Sequence, residues 1–323
     1  MGEYKNYRVN LKLKSTLITP FQADTIFGHI CWAIRYLKGC QELEKFIVQY
    51  DNSNPPLLIS DGFPKGYLPK PIIKPITQDE LIKTMPIFKD SDVIKNSYKI
   101  KMIKKVKLIP AEIFVKLNQE PITAPLLFER LLERFDEMIR EKSKREIVYH
   151  NKINRITNRV IDPYPQEEIF FNEEFNKFEI YIKTDYFSKE DLEGIFEFIG
   201  ESGYGRDKST GKGHFCCKVE DEEIKWANSP NAFMTLSSYI PDSKAPTKGY
   251  YEILLKYGKL GGDFAKSDPF KVPLIMFRSG SVFYGSGDKI YGYLLKNIHK
   301  NPDIRHYAYA FPIGINIEEE EYD

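Results

Sequence analysis

What this sequence lacks narrows it before anything else does. No stretch approaches the ~20 consecutive apolar residues that cross a bilayer. The N-terminus alternates apolar with charged residues, unlike a secretory signal, so a cytoplasmic protein with no membrane partner is expected. Cysteine is scarce: Cys31, Cys40, Cys216 and Cys217 are the four in 323 residues. They have neither the spacing of a zinc site nor the density of a disulfide scaffold, and are expected to be reduced and mostly buried. Recognisable catalytic machinery is missing too. There is no nucleophile elbow, no paired acids and no HD or GGDD signature. His29, His150, His214, His299 and His306 do not fall at metal-ligand spacings with acidic or sulfur partners. No metal, no cofactor and no enzyme activity is expected on these grounds.

A strong charge of either sign is also absent, the formal net charge being +1. Its distribution is uneven. Residues 95–159 hold 16 Lys+Arg against 8 Asp+Glu, a surplus of 16 − 8 = +8, which leaves +1 − 8 = −7 on everything else. A basic middle is thus carried by an acidic remainder that ends in Glu318 to Glu321.

What is present divides the chain. Tyr7, Val9, Leu11 and Leu13 alternate with Arg8, Asn10, Lys12 and Lys14, which predicts a strand with one apolar and one basic face. A helix follows, with Asp24 as its cap and Ile26, Phe27, Ile30, Cys31, Ile34 and Leu37 at helical spacing. The unit recurs later: Phe178, Ile180 and Ile182 alternate, Ser188 to Asp191 has the form of a capping box, Leu192, Ile195, Phe196 and Ile199 form a stripe, and Phe215, Cys217 and Val219 return as a strand. Two such halves in one domain predict a ferredoxin-like sheet, as in the RRM. In the basic stretch one helix is expected near 125–142, and His150 to Arg159 has no apolar face and reads as an excursion from the core. After Trp226 the sequence is strand-rich, with glycine and proline breaks, and a second, more degenerate αβ domain is expected there.

The sharpest chemical feature is Gly203-Tyr-Gly-Arg-Asp-Lys-Ser-Thr-Gly-Lys-Gly213. Glycines let backbone amides approach phosphate, and Arg206, Lys208 and Lys212 supply charged donors. It is not a P-loop, because five residues separate Gly205 from Gly211 and Gly213 stands where a magnesium-binding hydroxyl belongs. Nor is it a dinucleotide fingerprint, since it follows a helix and lacks the third glycine. The competing reading is a flexible, charged helix-to-strand connection. Between His150 and Arg159, the bases Lys152, Arg155 and Arg159 stand with Asn151, Asn154 and Asn158 on an expected extended hairpin that suits a single-stranded backbone, or else a solvated loop. His29, among Phe27, Ile30 and Trp32, reads as a packing residue more readily than as a general base. The glycine-rich segment from Arg278 to Gly287 reads as a hairpin turn.

Thr19 to Gly28, Tyr67-Leu-Pro-Lys-Pro71, the Asn154-Arg155 region, the 203–213 loop and the Arg278-Ser-Gly-Ser turn together resemble the RAMP superfamily. Their order over nearly the whole chain is similar to the fourth-subunit family of type III-A (Csm) CRISPR effector complexes, with the corresponding Cmr-complex subunit the reading most easily confused with it. That resemblance implies an α+β protein of two ferredoxin-like (RRM-like) domains, residues 1–225 and 226–323, with a projecting thumb drawn from 85–170. It implies a non-catalytic subunit that binds the repeat-derived 5′ tag of crRNA and bridges a large polymerase-type subunit to a backbone RAMP subunit. Carried onto this sequence, RNA would lie along Gly203, Gly205, Arg206, Lys208, Ser209, Thr210, Gly211, Lys212 and Gly213, with Phe21, Gln22, Asn154, Arg155, Arg159 and Arg278 assisting. The rival is a metal-independent CRISPR RNA-processing endoribonuclease of the same superfamily, with His29 or His150 as base and Lys212 stabilising charge.

Overall fold

The computed structural model describes residues 3–51, 55–84, 93–222, 230–265 and 268–318. Residues 85–92 of the expected thumb, the expected boundary at 225/226 and the acidic residues after Glu318 lie outside these.

The alternation of the opening segment folds as read. Strand Lys5–Leu13 runs antiparallel between Lys177–Thr184 and Phe215–Asp221, so that Val9 faces Ile180 on one side and Val219 on the other. Leu57–Ile59 pairs with the outer edge of Lys177–Thr184, giving the spatial order Leu57–Ile59, Lys177–Thr184, Lys5–Leu13, Phe215–Asp221. Helices Ala23–Lys38 and Lys189–Ser202 are the two connections, and they bury their apolar stripes against the sheet. Each side chain such as Ile30 or Leu192, fully withdrawn from water, contributes about 1.5–3 kcal/mol of apolar transfer. The second helix begins at a complete capping box, with Ser188 and Asp191 each accepting the other's backbone N–H at 3.1 Å.

Three expectations change at this level. The first helix starts at Gln22, not Asp24, whose carboxylate instead pairs with Lys256 at 2.9 Å; Leu37 of its predicted stripe faces outward. On the basic face of the opening strand Arg8 is neutralised, lying 3.2–3.7 Å from Glu179, Glu220 and Glu222, while Lys12 and Lys14 are exposed. The thiols are free but not mostly buried: Cys40 and Cys216 are exposed, and Cys31 and Cys217 half-buried, since neither exposed residue falls on an apolar stripe.

The basic middle is more helical than expected. The single helix near 125–142 is two short ones, Ala124–Glu133 and Phe135–Ile139, preceded by Val93–Lys105 and Ala111–Leu117. Ile103, Phe114, Leu117, Phe128 and Leu131 join the common core, so these helices are part of the body. What stands out from it is a two-stranded ribbon, Ser143–Ile153 with Val160–Phe171. Its outer part is exposed on both faces, Tyr149 being 70% and Ile156 95% accessible.

From residue 230 onward the described residues hold strands and one 3-10 turn but no α-helix, where an αβ domain was expected. The strands Ala232–Thr235, Ile253–Lys256 and Leu274–Phe277 are four residues long, and glycine and proline recur between them, which leaves little room for a helical period. Ala232–Thr235 is central in a four-stranded antiparallel sheet; Ile253–Lys256 with Leu274–Phe277, and Gly292–Leu295 with His306–Tyr309, form separate ribbons. This half packs directly on the first. Tyr307 stacks on Phe27 at 5.1 Å and accepts the Ile59 N–H at 2.8 Å, and Tyr309 lies 5.7 Å from Tyr50, within one continuous core. Among the described residues no helix is long and apolar enough to cross a membrane.

Candidate nucleic-acid interface

The glycine loop is built around one buried tyrosine. As helix Lys189–Ser202 ends at Gly203, Tyr204 turns inward and its ring lies 4.6 Å from Phe21 and 4.8 Å from His29. The Tyr204 hydroxyl accepts the Gln22 N–H at 3.2 Å and donates to the Pro20 carbonyl at 3.0 Å. The loop is thereby fastened to the N-terminus of the first helix. The Gly205 N–H donates to Nε2 of His29 at 2.9 Å and the Arg206 N–H to Oγ1 of Thr19 at 3.0 Å. At the far end the Gly213 N–H donates to the Thr16 carbonyl, and its own carbonyl accepts the Tyr204 N–H, both at 2.9 Å. A Cβ on Gly213, at φ +70°, would fall 2.7 Å from the Tyr204 nitrogen and closer still to the Tyr204 carbonyl oxygen.

These bonds revise the expected use of the loop's backbone. The amides of Gly205, Arg206, Thr210, Gly211 and Gly213 all donate within the protein, so they hold the loop's shape instead of cradling a phosphate. The 3-10 turn Lys208–Thr210 closes on itself between Asp207 and Gly211, both left-handed. Side chains are what the loop presents. Arg206, Ser209 and Thr210 are exposed and Lys208 half-exposed, with Arg206 only loosely paired to Asp207 at 3.8 Å. Gly203 and Gly213 are buried, while Gly211 is exposed.

His29 is a structural member of this site. Burial, with the Lys208 charge in support, holds its pKa down to about 3, and its Nε2 lone pair already accepts the Gly205 N–H. Phe21 departs from its expected role: it is 4% exposed, its ring packed on Tyr204, Phe178 and Phe215, so it shapes the loop from beneath and offers no face to a ligand. Gln22 is half-buried and its Oε1 accepts from Lys256 at 2.6 Å.

Lys212 points away from the turn. Its ammonium lies 2.7 Å from Oε2 of Glu168, a carboxylate 1% exposed on the inner strand of the ribbon. The same carboxylate accepts from Thr16 Oγ1 at 2.6 Å and from His150 Nε2 at 3.1 Å. Burial pushes the Glu168 pKa up, but the bonds from Lys212, Thr16 and His150 outweigh it and hold the pKa below the usual carboxylate value. Glu168 went unnoticed in the sequence. The available signal was its place beside Ile169, Phe170 and Phe171, a charged residue entering an apolar strand.

The ribbon tip is a tight turn in which Asn154 is structural, its Oδ1 accepting the N–H groups of Ile156 at 2.9 Å and Thr157 at 3.3 Å. Arg155 and Arg159 are exposed there. Eight residues of extended strand from Glu168 to Val160 place the tip roughly 25 Å from the loop, so the structure joins the two through the ribbon and does not bring them together. Arg278 lies elsewhere, its guanidinium 3.6 Å from Glu252. Its turn is not a hairpin, because strands Leu274–Phe277 and Val282–Tyr284 belong to different sheets. It reaches the first helix through Asp61, which bonds Ser279 and accepts the Ala23 N–H at 2.8 Å; burial raises the Asp61 pKa to about 6.

No family model matches the chain, and no curated protein matches it by sequence. Solved structures do match in fold. A Csm1–Csm4 cassette crystallised in complex with cA4 aligns over 98% of this chain and 100% of the other, at TM-score 0.59 and 18% identity. The same cassette in complex with AMPPNP gives TM-score 0.57 and 19% identity over the same shares. A Csm3–Csm4 subcomplex of the type III-A CRISPR-Cas interference complex aligns over 96% and 99%, at TM-score 0.59 and 16% identity. From end to end, then, the chain has the fold of the Csm4 subunit common to those assemblies.

Proposed function

We propose that this chain is a non-catalytic, cytoplasmic RNA-binding subunit of a type III-A CRISPR-Cas interference complex. It binds the repeat-derived 5′ tag of crRNA and bridges the large polymerase-type subunit to the backbone subunit. Three observations support the reading. The fold likeness spans the chain, and the similar proteins are held in assemblies with Csm1 and with Csm3. The sheet of the first half has the strand order and antiparallel pairing of a ferredoxin-like domain with two helices on one face, an RNA-binding architecture, and in this reading the ribbon would serve as its thumb. The single observation that carries the most weight is the braced loop: its backbone is tied down at both ends while Arg206, Ser209 and Thr210 face solvent and Lys208 is half-exposed. A rigid frame carrying exposed cations and hydroxyls recognises phosphate and sugar through side chains at small entropic cost.

The test is binding of a labelled single-stranded RNA carrying the 5′ tag to the wild type and to the double variant Arg206→Ala, Lys208→Ala. Wild-type binding should weaken with salt, and the double variant should bind at least tenfold more weakly with an unchanged circular-dichroism spectrum. Equal affinities would remove the loop from the interface. Incubation of the same RNA with the protein in EDTA should yield no discrete cut, because the His29 lone pair is already occupied; a cut that His29→Ala abolishes would favour the endoribonuclease reading.

A further inference from the structure

A carboxylate withdrawn from water is strongly disfavoured unless its oxygens are well paired. Glu168 is withdrawn and doubly paired, and its partners come from three separate stretches of chain. Thr16 follows the opening strand, Lys212 closes the glycine loop, and His150 sits on the opposite strand of the ribbon. Thr16 and Lys212 share Oε2 while His150 takes Oε1, so both oxygens are used and the carboxylate plane is fixed. The carboxylate only accepts, hence the His150 proton resides on Nε2. The His150 ring also stacks on Tyr164 of its own ribbon at 5.5 Å. Directly alongside, Leu17 and Ile169 exchange both backbone hydrogen bonds, at 3.2 and 2.7 Å, and Thr16 holds Gly213 through its carbonyl.

We propose that Glu168 is a positioning residue that latches the root of the ribbon to the glycine loop, and that Lys212 serves this latch and not an RNA phosphate. The inference rests on the RNA-binding reading above and deepens it: loop and ribbon become one surface with a fixed mutual orientation, so that RNA seated on Arg206 and Lys208 meets the ribbon at a set angle. A latch and a phosphate contact differ in their salt dependence. Losing a contact to single-stranded RNA phosphate lowers the slope of log affinity against log salt by about 0.7 per contact. Losing a latch weakens binding at every salt concentration and leaves the slope unchanged.

The experiment titrates a labelled single-stranded RNA with 5′ tag against the full chain and its variants Lys208→Ala, Lys212→Ala, Glu168→Gln and His150→Ala at several salt concentrations. Hydrogen exchange over residues 143–171 is followed in parallel. Lys208→Ala should reduce the slope; Lys212→Ala, Glu168→Gln and His150→Ala should each weaken binding several-fold at unchanged slope and accelerate exchange at the ribbon root. His150→Ala removes one arm without stranding a charge and covers the case in which Glu168→Gln does not fold. Unchanged affinity and exchange in the Glu168 and His150 variants, or a slope reduced by Lys212→Ala as by Lys208→Ala, would overturn the latch. Absence of RNA binding by the wild type would defeat the RNA reading itself, and the latch would then stand or fall on the exchange rates.

Discussion

The N–H of Gly205 donates to Nε2 of His29 at 2.9 Å, so a loop amide and a helix histidine hold each other in a single protonation state. The bond requires an unprotonated Nε2, and burial together with Lys208 keeps the His29 pKa near 3. An unfolded histidine titrates near 6.5. The contribution of His29 to stability is therefore complete above about pH 6.5 and is lost as pH falls toward 3, by up to ~1.4 kcal/mol per pH unit. His306, held to about 4 by burial against the opposing pull of Asp24, acts in the same direction. Asp61, raised to about 6 by burial, acts oppositely and returns stability as pH falls from 6 toward 3.8. Denaturant unfolding of wild type and His29→Gln at pH 7 and pH 5 separates these effects: the wild type should lose about 2 kcal/mol more than the variant over that interval. Equal losses would mean that His29 titrates normally in the fold.

Gly213 and Gly211 are both left-handed but stand in different surroundings. Nothing lies within 4 Å of a Cβ on Gly211, whereas one on Gly213 would strike the Tyr204 backbone. Gly211→Ala should cost about 1–2 kcal/mol from conformation alone. Gly213→Ala should cost clearly more, because the Thr16 and Tyr204 hydrogen bonds must open, and RNA affinity should fall with it. Urea unfolding of the two variants gives the comparison, and equal midpoints would contradict the packing described.

Phe21 separates a core role from a contact role. With its ring enclosed by Tyr204, Phe178 and Phe215, Phe21→Ala should destabilise the protein by about 3–5 kcal/mol. Tm should fall by on the order of 10 °C. A thermally neutral Phe21→Ala that nonetheless lost RNA would place the ring at the interface instead.

The two halves share aromatic packing and should unfold together. Tyr307→Phe removes the acceptor for the buried Ile59 N–H and should cost about 1–3 kcal/mol. Calorimetry should show one transition, displaced as a whole by this change. Two transitions, only one of them displaced, would mean that the N- and C-terminal halves are separate folding units.

The elements that could be read from the sequence are those in which a period and a boundary signal coincide. Phe178, Ile180 and Ile182 alternate and end at the Ser188–Asp191 box, and both features appear in the structure. The ribbon strands were harder. Water reaches both faces of their outer part, so Tyr149 and Ile156 carry no burial pattern, and only the turn at Asn154 to Arg159 announces them. The loop's composition showed where the cations lie but not that five of its amides are committed internally, because three of the acceptors, Thr16, Thr19 and His29, are distant in sequence. Glu168 was concealed for the same reason: a carboxylate reads as a surface group until Lys212, Thr16 and His150 are seen around it.

The ribbon is also a lever with a short grip. From Glu146, the position opposite Glu168, the strand runs on to Ile153, where the tip turn begins, about 25 Å at the rise of an extended strand. A rotation of about one degree at the root then carries the tip roughly 0.5 Å, already the tolerance within which a recognition surface must be held. Small play at one buried carboxylate is magnified into misalignment at Arg155 and Arg159, so the accuracy of the exposed end is decided at the end that water does not reach.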